Sequence, residues 1–312
     1  YEVIFFMTDF TKTLIRCSAL GNIMTNPKGK TPLEKYNDAV EELLVKQKEY
    51  NDMPNKELKS AKNKLERVNY YQGLVDQLFL SKDDVVLSDT CKSYLIQSYV
   101  LSKYGRIREV TTKQMIKGTI SEEESIELFS ILEKVPYNKN TERISNEYIC
   151  GTPDLYNGTT LFDSTEIIDI KSSWDIFTFL NNVDEPYNDN YYWQLQGYMA
   201  LTGAKIGTIA YCLVDTPDSL IEGEKYALLR KLDVVSEESP EFKKELKKLL
   251  ANRKFGDIPL QDRLLTYSIE RNDADIEKIY QKVEKCREYL FEFEEKHLCF
   301  SKNYRKKLNL VA

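Results

Sequence analysis

The stretch Gly151 to Ser173 reads GTPDLYNGTTLFDSTEIIDIKSS and holds the residues best suited to chemistry. Side chains alternate between the two faces of a strand, so in Glu166-Ile167-Ile168-Asp169-Ile170-Lys171 the residues Asp169 and Lys171 project one way. Ile168 and Ile170 then point into a core. Asp154 follows a β-rich segment and is joined to this strand by a turn-rich link. Two carboxylates and a lysine at the ends of adjacent strands offer oxygen ligands to a hard divalent cation and a compact positive charge to a phosphodiester. That is nuclease chemistry.

An acidic residue two positions before a lysine also occurs at Glu57/Lys59, Glu241/Lys243, Glu245/Lys247 and Glu294/Lys296. Those four lie in charged helical stretches, where positions i and i+2 face apart, and they read as surface charge. Asp169 and Lys171 instead interrupt an apolar β run, where burying a charged pair is costly. Glu122, four residues after Gly118 on an amphipathic helix, can complete an oxygen ligand set. Its neighbours Glu123 and Glu124 read equally well as acids favouring a helix N-terminus. In Gln194-Leu195-Gln196-Gly197-Tyr198 a helix places Gln194 and Tyr198 one turn apart on one face, able to hold DNA or brace the metal ligands. The adjacent Tyr191, Tyr192 and Trp193 read as core rather than as a stacking platform.

These residues need a scaffold, and the chain supplies one. Residues 8–26 read as an opening helix, 31–80 as a helical hairpin broken around Pro54, and Ser88 as the N-cap of a helix ending at Tyr104 before Gly105. Thr111 to Lys134 reads as one amphipathic helix and 141–174 as two or three strands. Helices are expected at 188–201, 217–232, 238–253 and 274–297, with strands at 206–214 and 264–269. Strands alternating with helices predict an α/β (α+β) fold with a central mixed β-sheet flanked by helices. The expected organisation is a single nuclease domain over 1–312, with the 31–80 hairpin as an insertion and 272–312 as a C-terminal helical extension.

The chain has 312 residues, of which 42% are hydrophobic and 30% charged, so a packed core is expected and long disorder is not. No apolar run reaches the ~18–20 residues of a membrane helix, and the apolar start Tyr1–Met7 is too short for a secretory segment. The expectation is a cytoplasmic protein. Six cysteines without a CxxC pair read as buried reduced thiols, not as zinc ligands, disulfides or an iron–sulfur staple. The net charge of −6 does not exclude a nucleic-acid partner, because a local basic groove can coexist with an acidic metal site. Lys28 and Lys30, the 103–108 stretch and the 302–307 tail could each supply phosphate contacts. The single histidine, His297, reads as surface, and no Gly-rich ATPase loop is present.

The set Gly118…Glu122, Gly151-Thr152-Pro153-Asp154, Asp169-Ile170-Lys171 and Gln194-x-x-x-Tyr198 resembles the PD-(D/E)xK nuclease superfamily. Within it the pattern is similar to the lambda exonuclease (YqaJ-like) branch of viral recombination nucleases, over about residues 8–30 and 85–215. Arg16-Cys17-Ser18-Ala19 followed by Asn26-Pro27 is similar to the segment that holds the 5′-phosphate in that family, which adds Arg16 and Ser18 as DNA-binding candidates beside Lys28 and Lys30. The resemblance implies a restriction-endonuclease-like core and Mg2+, with Mn2+ able to substitute, held by Glu122, Asp154, Asp169 and the Ile170 carbonyl. It further implies 5′→3′ digestion of linear duplex ends, in phage recombination or DNA processing, leaving a strand for an annealing protein; for a viral protein the compartment is the host cytoplasm. The family's ring-shaped trimer leaves a homo-oligomer open, and the hairpin at 31–80 has no counterpart in the family pattern. An endonuclease, a single-strand or flap nuclease of the same superfamily, and a non-catalytic DNA-binding scaffold remain alternative readings.

Overall fold

The structure, a computed structural model, describes residues 9–184 and 187–309, with side chains to residue 297. The start Tyr1–Met7 and the side chains of the 302–307 tail lie outside the described residues.

In chain order, β1 (Ile15–Arg16) runs through a 3-10 turn at Cys17–Ala19 into α1 (Leu20–Met24). The helices α2 (Pro32–Asn51), α3 (Lys59–Phe79), α4 (Asp89–Tyr104), α5 (Lys113–Ile120) and α6 (Glu122–Glu133) follow. Next come β2 (Ile144–Ser145), β3 (Ile149–Gly151), β4 (Leu155–Asn157) and β5 (Glu166–Ser172). The remainder is α7 (Ile176–Leu180), α8 (Asp189–Thr202), β6 (Ile206–Cys212), α9 (Asp218–Leu232), α10 (Pro240–Ala251), β7 (Leu264–Glu270) and α11 (Asp273–Asn309). Among the described residues, no helix is long and apolar enough to cross a membrane.

The chain divides into two compact units. One takes, of the described residues, Asp9 and Phe10, 22–103 and 281–309. Its α2–α3 hairpin starts on a capping box: the Glu34 carboxylate accepts the Thr31 amide at 2.7 Å while the Thr31 hydroxyl accepts the Glu34 amide at 3.2 Å. Ala39, Leu43 and Val75 form the seam of the hairpin with Tyr36, Val40, Val68 and Leu74 packed around them. Ser88 caps α4 by accepting the Cys91 amide at 3.0 Å. His297 packs edge-on to Tyr99.

The second unit, residues 11–21 and 104–280, carries both sheets. The main sheet has the order β4-β5-β6-β7, with β5 and β6 parallel and the outer pairs antiparallel. The smaller sheet has the order β1-β3-β2. The helix α8 touches the 3-10 turn and β3 on one side and β5 and β6 on the other, so it fills the space between the sheets. On the opposite face of the main sheet, Ile126 and Phe129 of α6 pack with Leu155, Ile168, Ile170, Ala210 and Cys212. Fully burying each of the isoleucine, leucine and phenylalanine side chains contributes about 1.5–3 kcal/mol, which holds β5 at one register. The mixed sheet flanked by helices is the fold class expected from the sequence.

Two elements differ from expectation. The opening helix expected over 8–26 is a strand, a 3-10 turn and a short helix, because Ile15 and Arg16 pair in parallel with Ile149 and Cys150. The helix expected over 111–134 is two helices that meet at Ser121, whose φ of −92° and ψ of 9° depart from helical values. The three glutamates after it then open a new N-terminus, where the helix dipole favours negative charge.

Candidate active site

The side chains on β5 separate as its alternation requires. Ile168 and Ile170 enter the core against α6, and Asp169 and Lys171 face α8. Asp169 is only 2% exposed, yet both carboxylate oxygens are satisfied. Oδ1 accepts from Gln194 Nε2 at 3.0 Å, and Oδ2 lies 2.5 Å from Lys171 Nζ. Gln194 Nε2 also donates to the Tyr198 hydroxyl at 3.1 Å, so the pair one turn apart on α8 braces Asp169 from behind. The Lys171 ammonium lies 5.0 Å from the centre of the Tyr191 ring.

Asp154 immediately precedes β4, whose pairing of Leu155 with Ile168 brings Asp154 alongside Asp169. Its Oδ2 accepts the Ile170 amide at 2.8 Å. In an extended strand the amide and carbonyl of one residue point the same way, so the Ile170 carbonyl opens toward the same edge.

Two glycines let these layers approach. A Cβ on Gly151 would come within 2.6 Å of the Tyr198 ring and 3.0 Å of Cys17 Sγ, and one on Gly197 within 2.5 Å of Leu20 Cδ1. The motif glycines of β3 and α8 are therefore contact points between the smaller sheet, the 3-10 turn and the helix behind Asp169.

Burial, and then the charge of Asp169, push the Asp154 carboxyl up to about 7, against a smaller pull from Lys171 and the Ile170 amide. Burial opposes the charged form of Lys171, but the carboxylates of Asp169 and Asp154 outweigh it and raise the ammonium above the ordinary lysine range. The Tyr198 phenol is raised by burial and by Asp169, so it stays neutral. Two adjacent carboxylates thus share one ammonium. That deficit of positive charge, on hard oxygen donors beside an open carbonyl, fits a divalent cation such as Mg2+.

Glu122 stands at the first turn of α6, close enough for its charge to act on Asp154. Its Oε2 is 2.7 Å from Lys139 Nζ. Among the described residues, no three His, Cys, Asp or Glu side chains close on a common point as a preformed metal cage. The structure thus brings Asp154, Asp169, Lys171, Gln194 and Tyr198 into one connected cluster and leaves Glu122 at its border, held by a lysine. Arg16 and Ser18 are exposed on the segment that packs beside Tyr198 through Cys17 and Gly197. Lys28 and Lys30 belong to the other compact unit, where Lys30 is 2.6 Å from Asp38 on α2.

Sequence reasoning missed Lys139 and Asn140, which lie in a loop without periodicity. It also took Tyr191 as core, although its ring faces the Lys171 ammonium. The i, i+3 spacing from Tyr191 to Gln194 was the available signal.

The chain is similar in fold to a phage-related exonuclease. That protein, from Haemophilus somnus 129PT, aligns with a TM-score of 0.57 and 24% identity, covering 92% of this chain and 97% of its own. An alkaline exonuclease from Laribacter hongkongensis aligns at a TM-score of 0.46 with 16% identity, and its complex with dAMP at 0.45 with 17%. Both cover 72% of this chain and 89% of theirs, a likeness too loose to bear on function. No family model and no curated protein sequence matches the chain. The fold implied by the resemblance of the motifs is the fold found.

Proposed function

We propose that this chain is a metal-dependent deoxyribonuclease of the PD-(D/E)xK type that hydrolyses phosphodiester bonds as an exonuclease. The observation that carries the reading is the buried Asp169, held between Gln194 and Lys171 with Asp154 beside it at the edge of the sheet. A structural salt bridge needs neither a second carboxylate nor a glutamine brace.

Asp154, Asp169 and the Ile170 carbonyl would hold the cation, with Glu122 joining them on leaving Lys139. Mg2+, or Mn2+ in its place, supplies when bound an acidified water and neutralisation of the phosphate charge. Gln194 keeps Asp169 oriented so that its remaining lone pairs face the cluster's open side. Lys171, a compact cation beside both acids, orients the attacking water and offsets the negative charge that builds on the phosphate oxygens. The motif resemblance supports Arg16 and Ser18, both exposed, as residues that would meet a DNA terminus, and Lys28 and Lys30 are further candidates for backbone contacts.

The motif resemblance supports a finer reading: 5′→3′ digestion of linear double-stranded DNA ends in phage recombination or DNA processing. The product strand would pass to a single-strand annealing protein, and a homo-oligomer is compatible with it. Incubation with linear and closed circular duplex under Mg2+ tests the class. The expected result is loss of the linear form alone; nicking of both indicates an endonuclease, and no cleavage a scaffold. Asp169→Asn should lower the rate by at least about 10²–10³ with the fold intact. Undiminished cleavage in that variant would refute the assignment. Digesting end-labelled duplexes with and without a 5′-phosphate tests the polarity.

A further inference from the structure

The loop between α6 and β2 is tied to the candidate site by a residue that plays no part in the motif. Asn140 is buried, and its backbone amide donates to the Asp154 carbonyl at 2.8 Å. Its side-chain amide donates to the Pro153 carbonyl at 2.8 Å and to that of Glu142 at 3.2 Å, and its Oδ1 accepts the Glu142 amide at 3.0 Å. The adjacent Lys139 is thereby presented to the acidic edge of the site. Its ammonium is 2.7 Å from Glu122 Oε2 and is held above the ordinary lysine range by that bond, with the charges of Asp154 and Glu123 adding to the effect.

The charges make the arrangement informative. With all three acids ionised, Glu122, Asp154 and Asp169 against Lys171 and Lys139 leave one unit of negative charge. With Lys139 turned outward, two units remain, which a divalent cation neutralises. The two lysines differ in how firmly they are held. Lys171 lies against the buried Asp169 and a tyrosine ring, whereas the Lys139 side chain is 44% exposed and its partner 22%. An exposed pair of this kind is readily exchanged.

We infer that Lys139 is the resident counter-ion of the site: it holds Glu122 in the metal-free protein and is displaced from it when a divalent cation binds. This inference rests on the metal-dependent reading above and names the residue that sets its affinity for the cation.

The test is titration of the full chain with Mn2+ alone, without DNA, following free Mn2+ by electron paramagnetic resonance. Four proteins are compared: wild type, Lys139→Met, Glu122→Gln and the double variant. Removing the competing ammonium should tighten Mn2+ binding about threefold to fivefold in the wild-type background. In the Glu122→Gln background the same replacement should leave the affinity unchanged. Unchanged or weaker binding by Lys139→Met overturns the inference, as does an equal gain in both backgrounds, which would mark a general effect of charge. If the wild-type chain binds no Mn2+ at millimolar concentration, the metal-dependent reading falls and takes this inference with it.

Discussion

Asp154 Oδ2 accepts the backbone amide of Ile170 at 2.8 Å, just beyond the point where the ladder between β4 and β5 ends. The side chain that precedes one strand thus continues the hydrogen bonding of the next, and the register of β4 on β5 sets it beside Asp169. The contact fixes the spacing of two like charges that would otherwise move apart.

The first consequence concerns stability without metal. The folded carboxyl of Asp154 sits at about 7, above its unfolded value of about 3.8. Between those values the folded protein holds a proton that the unfolded chain has released, so this group's contribution to stability falls as pH rises from about 4 to about 7. Asp154→Asn removes that penalty. In the presence of EDTA at pH 8 the variant should melt a few degrees above wild type, from a gain of about 1–2 kcal/mol after allowing for relaxation and water near the group. The gain should shrink toward pH 4, and cleavage should be lost at every pH. Calorimetric melts across that range check it; a variant that melts below wild type at pH 8 would contradict the argument.

Gln194 touches Asp169 without being a ligand. Gln194→Ala removes the donor to Oδ1 and leaves a buried carboxylate oxygen unpartnered, which should reduce cleavage by about 10–100-fold. Far-ultraviolet circular dichroism should remain that of the wild type. An unchanged turnover number would show that Lys171 alone positions the acid.

Arginine should not replace Lys171. The site offers a compact slot between Asp169 and the Tyr191 ring, and the planar guanidinium is larger and spreads its charge. Lys171→Arg should therefore remain at least about 10²-fold below wild type in single-turnover cleavage, close to Lys171→Ala.

Gly151 is a steric requirement. Gly151→Ala would drive a methyl group into the Tyr198 ring, which Gln194 and the surrounding core hold in place. The expected cost is about 1–3 kcal/mol of overpacking, read as a lowered melting temperature, together with slower cleavage because Tyr198 shares its donor with Asp169.

Much of this was legible in the sequence for physical reasons. The alternation Ile168-Asp169-Ile170-Lys171 fixes which face each residue meets, whatever the rest of the fold does. The cap at Ser88 is a local hydrogen-bonding event and marks its helix from a few residues alone. What escaped depends on distant partners. β1 exists because β3 lies beside it, and a pattern confined to residues 8–26 cannot carry that information. The approach of Lys139 to Glu122 depends on the Asn140 hydrogen bonds to Pro153 and Asp154, from beyond its own loop.

The strand bearing Asp169 and Lys171 is paired with parallel β6 along its whole length, Glu166 to Ser172, and with antiparallel β4 over Glu166–Ile168 just before the acids. Amides at the middle of such a sheet exchange with solvent only through the largest openings of a protein. Heating should consequently leave no interval in which the unit that carries the sheet stays assembled but the acids have come apart: catalytic death and the melting of that unit would arrive together.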